Sequence, residues 1–251
     1  MPTPIPTDFT LGAVAPEEAM AAFQARGLLE TTFSWQDLWH VEHTRAFTIS
    51  RLAETDLLDF VRAELDKAIE AGTDFRDWAD TIQQRFEAAG WWGKRQVVDT
   101  ATGEKVSTTF DPKRLQLIFE VNTRQSYAAG RWAGIERSKA RLPFVIYRTM
   151  RDEQVRNSHR PWDGLALPVD DPWWDTHYPP CGWRCRCHAY AIDQRGLDKL
   201  RAAGLPVKTE APPTEWVEFT NKRTGEVSKV PRGVDPGFGY NPRAPRPVLR
   251  G

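Results

Sequence analysis

The residues best equipped for chemistry lie close together in the chain. The stretch MRDEQVRNSHRPWDGLALPVDDPWWDTHYPPCGWRCRCHAYAI, residues 150–192, holds all three cysteines, three of the five histidines and a dense set of Asp, Arg and Trp. Thiolates and imidazoles are the donors that bind Zn2+ in tetrahedral geometry. A strand is expected over 185–192. Alternation along it would place Cys185 and Cys187 on one face, with Arg186 and His188 opposite. Cys181 in the preceding turn, with His159 or His177 from the loop, would complete four ligands. The same side chains also suit a cluster of small buried thiols beside hydrogen-bonded imidazoles. Structural zinc motifs more often use two separated pairs than one tight group. Both readings stand at the level of the residues.

Enzymatic patterns are weaker. Zinc deaminases combine H-x-E with P-C-x-x-C. Here His40-Val41-Glu42 and Pro180-Cys181 occur, but three residues separate Cys181 from Cys185. The sequence has no G-x-S-x-G elbow, no phosphate-binding P-loop and no H-E-x-x-H. A metal-dependent hydrolase or deaminase-like enzyme built on the His/Cys cluster at 159–187 is the alternative to a non-enzymatic role. Arg151, Arg156, Arg160, Arg184 and Arg186 interleave with Trp162, Trp173, Trp174 and Trp183, a set able to stack on nucleic acid. Asp152, Asp163, Asp170, Asp171 and Asp175 balance that charge, so internal ion pairs and a Trp-packed loop are expected instead. Arg156 in particular should pair with an Asp, because a buried guanidinium needs a partner.

The remaining chain must position this segment. It has 251 residues, 40% hydrophobic and 27% charged, which is enough to bury a core. Lys plus Arg and Asp plus Glu each number 34, which disfavours a strongly basic nucleic-acid binder. No apolar run is long enough for a transmembrane helix. The opening MPTPIPTDFT lacks the pattern of a secretory signal. Three cysteines in one cluster do not make a disulfide framework, so a reducing compartment is expected. The 19 Pro and 11 Trp suggest long, packed, irregular segments.

Periodicity and punctuation give the elements. Residues 1–15 read as an extended arm. A short helix runs from Pro16 to Gly27, and a helix with an aromatic face is expected over 33–52. The next helix is capped by Thr55 and stopped by Gly72. Another is capped by Thr73 and ended by Gly90. A hairpin follows at 96–110. Asp111-Pro112 opens a long helix to Ser138, about 40 Å at ~1.5 Å per residue. Strands are expected at 143–149 and 185–192, a helix over 193–203 and a hairpin over 216–230. The expected class is α+β: a helical N-terminal half with a long central helix, then a small mixed β-sheet with a Pro/Trp-rich loop region and extended arms. The expected divisions are an arm at 1–15, a helical region at 16–140, an α/β region at 141–230 and an extended tail at 231–251.

Several blocks of this sequence resemble the phage Mu protein F-like minor head proteins, the phage head morphogenesis family. They are PEEAMAAFQARG at 16–27 with FSWQDLWHVEHTRAFTISR at 33–51, FEVNTRQSYAAGRW at 119–132, YRTMRDEQVRNSHRPWDGLALPVDDPWWDTHYPPCGWRCRC at 147–187, and VDPGFGYNP at 234–242. The resemblance implies a structural protein of a tailed phage or prophage head, without catalytic residues. It would act in the host cytoplasm during assembly and on the inner face of the shell near the portal vertex. Implied partners are the portal protein, major capsid or scaffold proteins and packaged double-stranded DNA, with no membrane. The chain ends soon after Asn241-Pro242, so no additional C-terminal domain of the kind some relatives carry is expected. The family motif falls on Asp152, Arg156, Asp163, Gly164, Pro179, Pro180, Gly182, Trp183 and Arg186. It implies that His159 is brought to Cys185 and Cys187. With a metal, those three and Cys181 would be the zinc ligands; without one, they would form a buried cluster. Arg243, Arg246 and Arg250 would contact acidic protein or DNA phosphate.

Overall fold

The computed structural model describes residues 16–38, 40–99 and 102–242. In chain order the elements are α1 (Pro16–Gln24), β1 (Leu28–Leu29), short 3-10 turns at Trp35–Asp37 and His40–Thr44, β2 (Ala46–Phe47), α2 (Thr55–Ala71), α3 (Phe75–Ala88), β3 (Gly93–Val98), β4 (Lys105–Phe110) and α4 (Pro112–Ser138). Then come β5 (Phe144–Arg148), a 3-10 turn at Arg160–Trp162, β6 (Ala166–Pro168), α5 (Trp174–His177), β7 (His188–Ile192), α6 (Gln194–Ala202), β8 (Trp216–Thr220) and β9 (Val227–Pro231). The fold is α+β.

Local chemistry sets the helix ends. Gly72 closes α2 in the left-handed conformation, and its N–H donates to the Ala68 carbonyl. Asp74 rather than Thr73 caps α3, because its carboxylate accepts from both the Arg76 and Asp77 N–H groups. Thr55 lies inside α2, with Glu54 at the cap position. Asp111 accepts from Arg114 N–H, and Pro112 needs no partner in the first turn, so α4 starts where the sequence punctuates it.

Helix α4 serves two cores. Its first half contributes Leu115 and Ile118 to a cluster with Phe23, Leu58, Leu65, Ile82, Phe86 and Phe110 from α1, α2, α3 and β4. From Val121 onward it contributes Val121, Ala128, Trp132 and Ile135 to a cluster with Tyr147, Trp162, Trp174 and Phe238. A three-stranded sheet of order β6-β5-β7 backs the second core. Val145 pairs with Leu167 on one side and Ala191 on the other. Both pairings are antiparallel, and beside β6 Leu165 makes a parallel bridge with Lys208.

Three further expectations need correction. Residues 33–52 do not form a helix. Trp35 stacks on His43 with ring centroids 3.7 Å apart and meets Trp183 and Phe238, so the aromatic spacing is satisfied by distant rings. The Asp37 carboxylate accepts from Phe33 and Ser34 N–H at 2.8 and 2.9 Å, which holds a short turn in place of a helix. The strand expected from Cys185 begins at His188. Arg184 has φ +56° and Cys185 N–H donates to the Gly182 carbonyl, so the two cysteines lie in a turn and its exit. The tail does not leave the molecule at Pro231: Val234, Phe238, Tyr240 and Asn241 are buried in its own chain. Residues 1–15 and 243–251, with Arg243, Arg246 and Arg250, lie outside the described residues.

Two glycines at positive φ should respond differently to alanine. A Cβ on Gly164 (φ +81°) would lie 2.2 Å from the Pro206 carbonyl oxygen, whereas one on Gly72 (φ +64°) would meet nothing. Gly72→Ala is expected to cost about 1 kcal/mol, from the backbone conformation alone. Gly164→Ala adds a backbone clash and should cost more than about 3 kcal/mol. Urea unfolding of both variants checks this, and equal costs would contradict the packing described.

Candidate metal centre

Three ligand-type side chains converge where the long loop meets β7. His159 Nδ1 lies 3.7 Å from Cys185 Sγ and 3.6 Å from Cys187 Sγ. The ligand atoms of the three residues all lie within 4.8 Å of one another. His159 precedes the 3-10 turn Arg160–Trp162, and its ring stacks on Trp162 at 4.8 Å. Its Nε2 is 2.8 Å from the Gly233 carbonyl oxygen. A carbonyl only accepts, so Nε2 carries the proton and the Nδ1 lone pair faces both sulfurs. His159 and Cys185 are buried and Cys187 is half-buried. Residues around this group, including Val155, Arg156 and Arg184, line a partly open cavity of about 30 Å³.

The two neighbouring thiols shift in opposite directions. A hydrogen bond with Cys187, and then one with His159, holds the Cys185 thiol below its ordinary value. The bond to Cys185, together with burial, pushes Cys187 up.

Cys181 is not one of the three converging side chains. Its thiol donates to the His177 carbonyl at 3.2 Å and lies 3.8 Å from the Tyr147 hydroxyl. Burial pushes its pKa well up. His177 does not join the cluster either. Its ring stacks on Trp173 at 4.5 Å and Nδ1 meets Thr176 Oγ1 at 2.8 Å.

The motif's charged residues are tied to one another. Asp152 takes two bonds from Arg186, at 2.8 and 2.7 Å. Asp163 accepts from Thr149 N–H and Arg151 Nε, both at 2.9 Å, and lies 3.8 Å from buried Arg148. Arg156 meets Asp235 through two 2.9 Å bonds and donates a third to the Trp183 carbonyl at 2.8 Å. Asp235 also accepts from Trp183 N–H, and its own N–H donates to the Cys181 carbonyl, both at 2.9 Å. Gly182 packs under this pair; a Cβ there would lie 2.3 Å from the Asp235 carboxylate. Pro179 and Pro180 are buried beside it. Asp235 and Gly233 were not singled out as site residues by sequence reasoning. The signal available was the VDPGFGYNP block, whose first Asp is Asp235.

A family model described as Phage Mu protein F like protein matches residues 59–190. The chain belongs to the phage Mu protein F-like family. It is 32% identical over 240 residues to "Putative capsid assembly protein F" of Escherichia phage Mu, covering 90% of this chain and 54% of that protein. It is 31% identical over 228 residues to "Mu-like prophage FluMu F protein" of Haemophilus influenzae, covering 85% of this chain and 53% of that one. The chain spans about half the length of these curated relatives. No solved structure matches it. The matched span ends just beyond Cys187, so it covers the positions of all three converging residues, whereas Gly233 and Asp235 lie after it.

Two predictions follow from this geometry. Arg156→Ala and Asp235→Ala should each cost about 2 kcal/mol, below the range for a fully buried pair because both side chains are partly exposed. The double variant should cost little more than either alone; additive urea-unfolding costs would show that the two groups are not coupled. The second prediction concerns His177, whose pKa burial pushes from 6.5 to about 4. The unfolded chain then takes up the proton first as pH falls. The contribution is fully present above pH ~6.5 and lost progressively towards pH ~4, by up to about 3 kcal/mol. His177→Gln should flatten the decline of unfolding free energy between pH 7.5 and 5, and an unchanged slope would show that His177 does not cause it.

Proposed function

We propose that this chain is a non-catalytic structural protein of head morphogenesis in a tailed phage or prophage. In this reading it is a minor head component, placed on the inner face of the shell near the portal vertex. The observation that carries the reading is the similarity over 90% of the chain to a protein named for capsid assembly. The site's chemistry supports it. Asp152, Asp163, Arg156 and Arg186 are engaged in ion pairs with neighbouring side chains, an arrangement that holds a loop together. The partners in this reading are the portal protein and the major capsid or scaffold proteins, with packaged double-stranded DNA as a further contact. An equal number of acidic and basic residues is compatible with closeness to DNA without tight nonspecific binding. No helix among the described residues is long and apolar enough to cross a membrane.

Deleting the coding sequence from its phage or prophage should abolish DNA-filled heads while tails are still made, and supplying the chain in trans should restore them. Purified heads or head precursors should contain the protein. An undiminished yield of filled heads after deletion would overturn the assembly role. Heads made normally but devoid of the protein would overturn its place in the shell.

A further inference from the structure

We infer that His159, Cys185 and Cys187 form a zinc site with three protein ligands, and that Cys181 is not a ligand. Distances decide first. Zn–S bonds of about 2.3 Å and a Zn–N bond of about 2.0–2.1 Å, at a tetrahedral angle, separate nitrogen from each sulfur by about 3.6 Å. The observed separations from Nδ1 are 3.7 and 3.6 Å. One edge at that length would also fit an S–H···N hydrogen bond. Two at once do not fit equally well, because Nδ1 has a single lone pair and its ring's only proton is held on Nε2 by Gly233.

The tautomer decides next. Histidine ligands commonly donate their second ring N–H to a carbonyl or carboxylate, which fixes the ring and raises its basicity. Gly233 supplies that carbonyl, and Trp162 stacks on the ring. The charge balance also suits burial. Zn2+ binding releases two thiol protons, and two thiolates with a neutral imidazole leave the complex uncharged. An uncharged complex escapes most of the cost of burying an ion.

The remaining coordination position belongs to solvent. All three ligand residues line the 30 Å³ cavity, which exceeds the roughly 10–15 Å³ that one water requires. The Cys181 S–H donates to the His177 carbonyl, away from the cluster, while the Tyr147 hydroxyl meets both Cys181 and Cys187. Zinc here would join three separate pieces of chain: the turn at His159, the exit to β7 at Cys185 and Cys187, and, through Gly233, the segment after β9. This assignment does not depend on the head-assembly role.

The test is metal content of the whole chain, purified under reducing conditions without chelator. Plasma mass spectrometry should find about one zinc per chain, and Cys181→Ser should retain it. His159→Gln, Cys185→Ser and Cys187→Ser should each lower zinc affinity at least tenfold. Cobalt(II) exchanged into the wild-type protein should give the thiolate charge-transfer and tetrahedral ligand-field bands of a sulfur-bound ion, a readout that needs no variant to fold. Wild-type protein with less than a tenth of a zinc, a thiolate-free cobalt spectrum, or a Cys185–Cys187 disulfide in freshly reduced protein would overturn the site. Loss of zinc from Cys181→Ser as severe as from Cys185→Ser would overturn the three-ligand assignment.

Discussion

The pairing of Arg156 with Asp235 holds the most demanding part of this fold. Between β5 and β7 the chain carries only β6, a 3-10 turn and the four-residue α5, so few backbone ladders constrain it. Side chains must supply the links instead. Arg156 reaches both Asp235 oxygens and the Trp183 carbonyl, while Asp235 fixes Trp183 N–H and reaches back to the Cys181 carbonyl. One planar fork thus joins the start of the loop, its cysteine turn and the segment after β9. A lysine could not replace it, because a point charge has no matching bidentate geometry. Around this link the aromatic rings Trp35, Trp183 and Phe238 close the second core.

How much of this was legible depends on how far each signal reaches. Helix α4 was readable to the residue, since Asp111-Pro112 starts it and its periodic apolar face continues for seven turns. The Gly72 stop and the β3–β4 hairpin are equally local. The segment 33–52 was misread because Trp35 is placed by Trp183 and Phe238, far along the chain, and aromatic spacing alone cannot distinguish a helix face from such contacts. The cysteine strand was misread because a left-handed Arg184 leaves no compositional mark. At the site, the meeting of His159 with Cys185 and Cys187 was anticipated from the family-like motif. Cys181 was grouped with them on proximity in sequence, which does not reveal that its thiol is turned to His177. Asp235 could not be paired with Arg156 by inspection, since 79 residues separate them.

The candidate centre and the ionic link share one arrangement. Gly233, which holds the His159 ring, and Asp235, which holds Arg156, stand two residues apart in the segment after β9. That segment therefore grips the loop at two points, while Phe238 and Tyr240 carry it towards Trp35 and His43 at the other end of the chain. Under the proposed assembly role such closure is useful, because a rigid surface loses less conformational entropy when it docks.

The central claim is that the loop and the segment after β9 fold as one unit through Asp235. Amide hydrogen exchange on the whole chain tests it most directly, comparing the wild type with Asp235→Asn, which keeps the shape and removes the charge. The account predicts that protection falls together across residues 152–163, 181–187 and 233–241, while α2 and α3 keep theirs. Loss confined to the immediate neighbours of residue 235, with the loop fully protected, would contradict it.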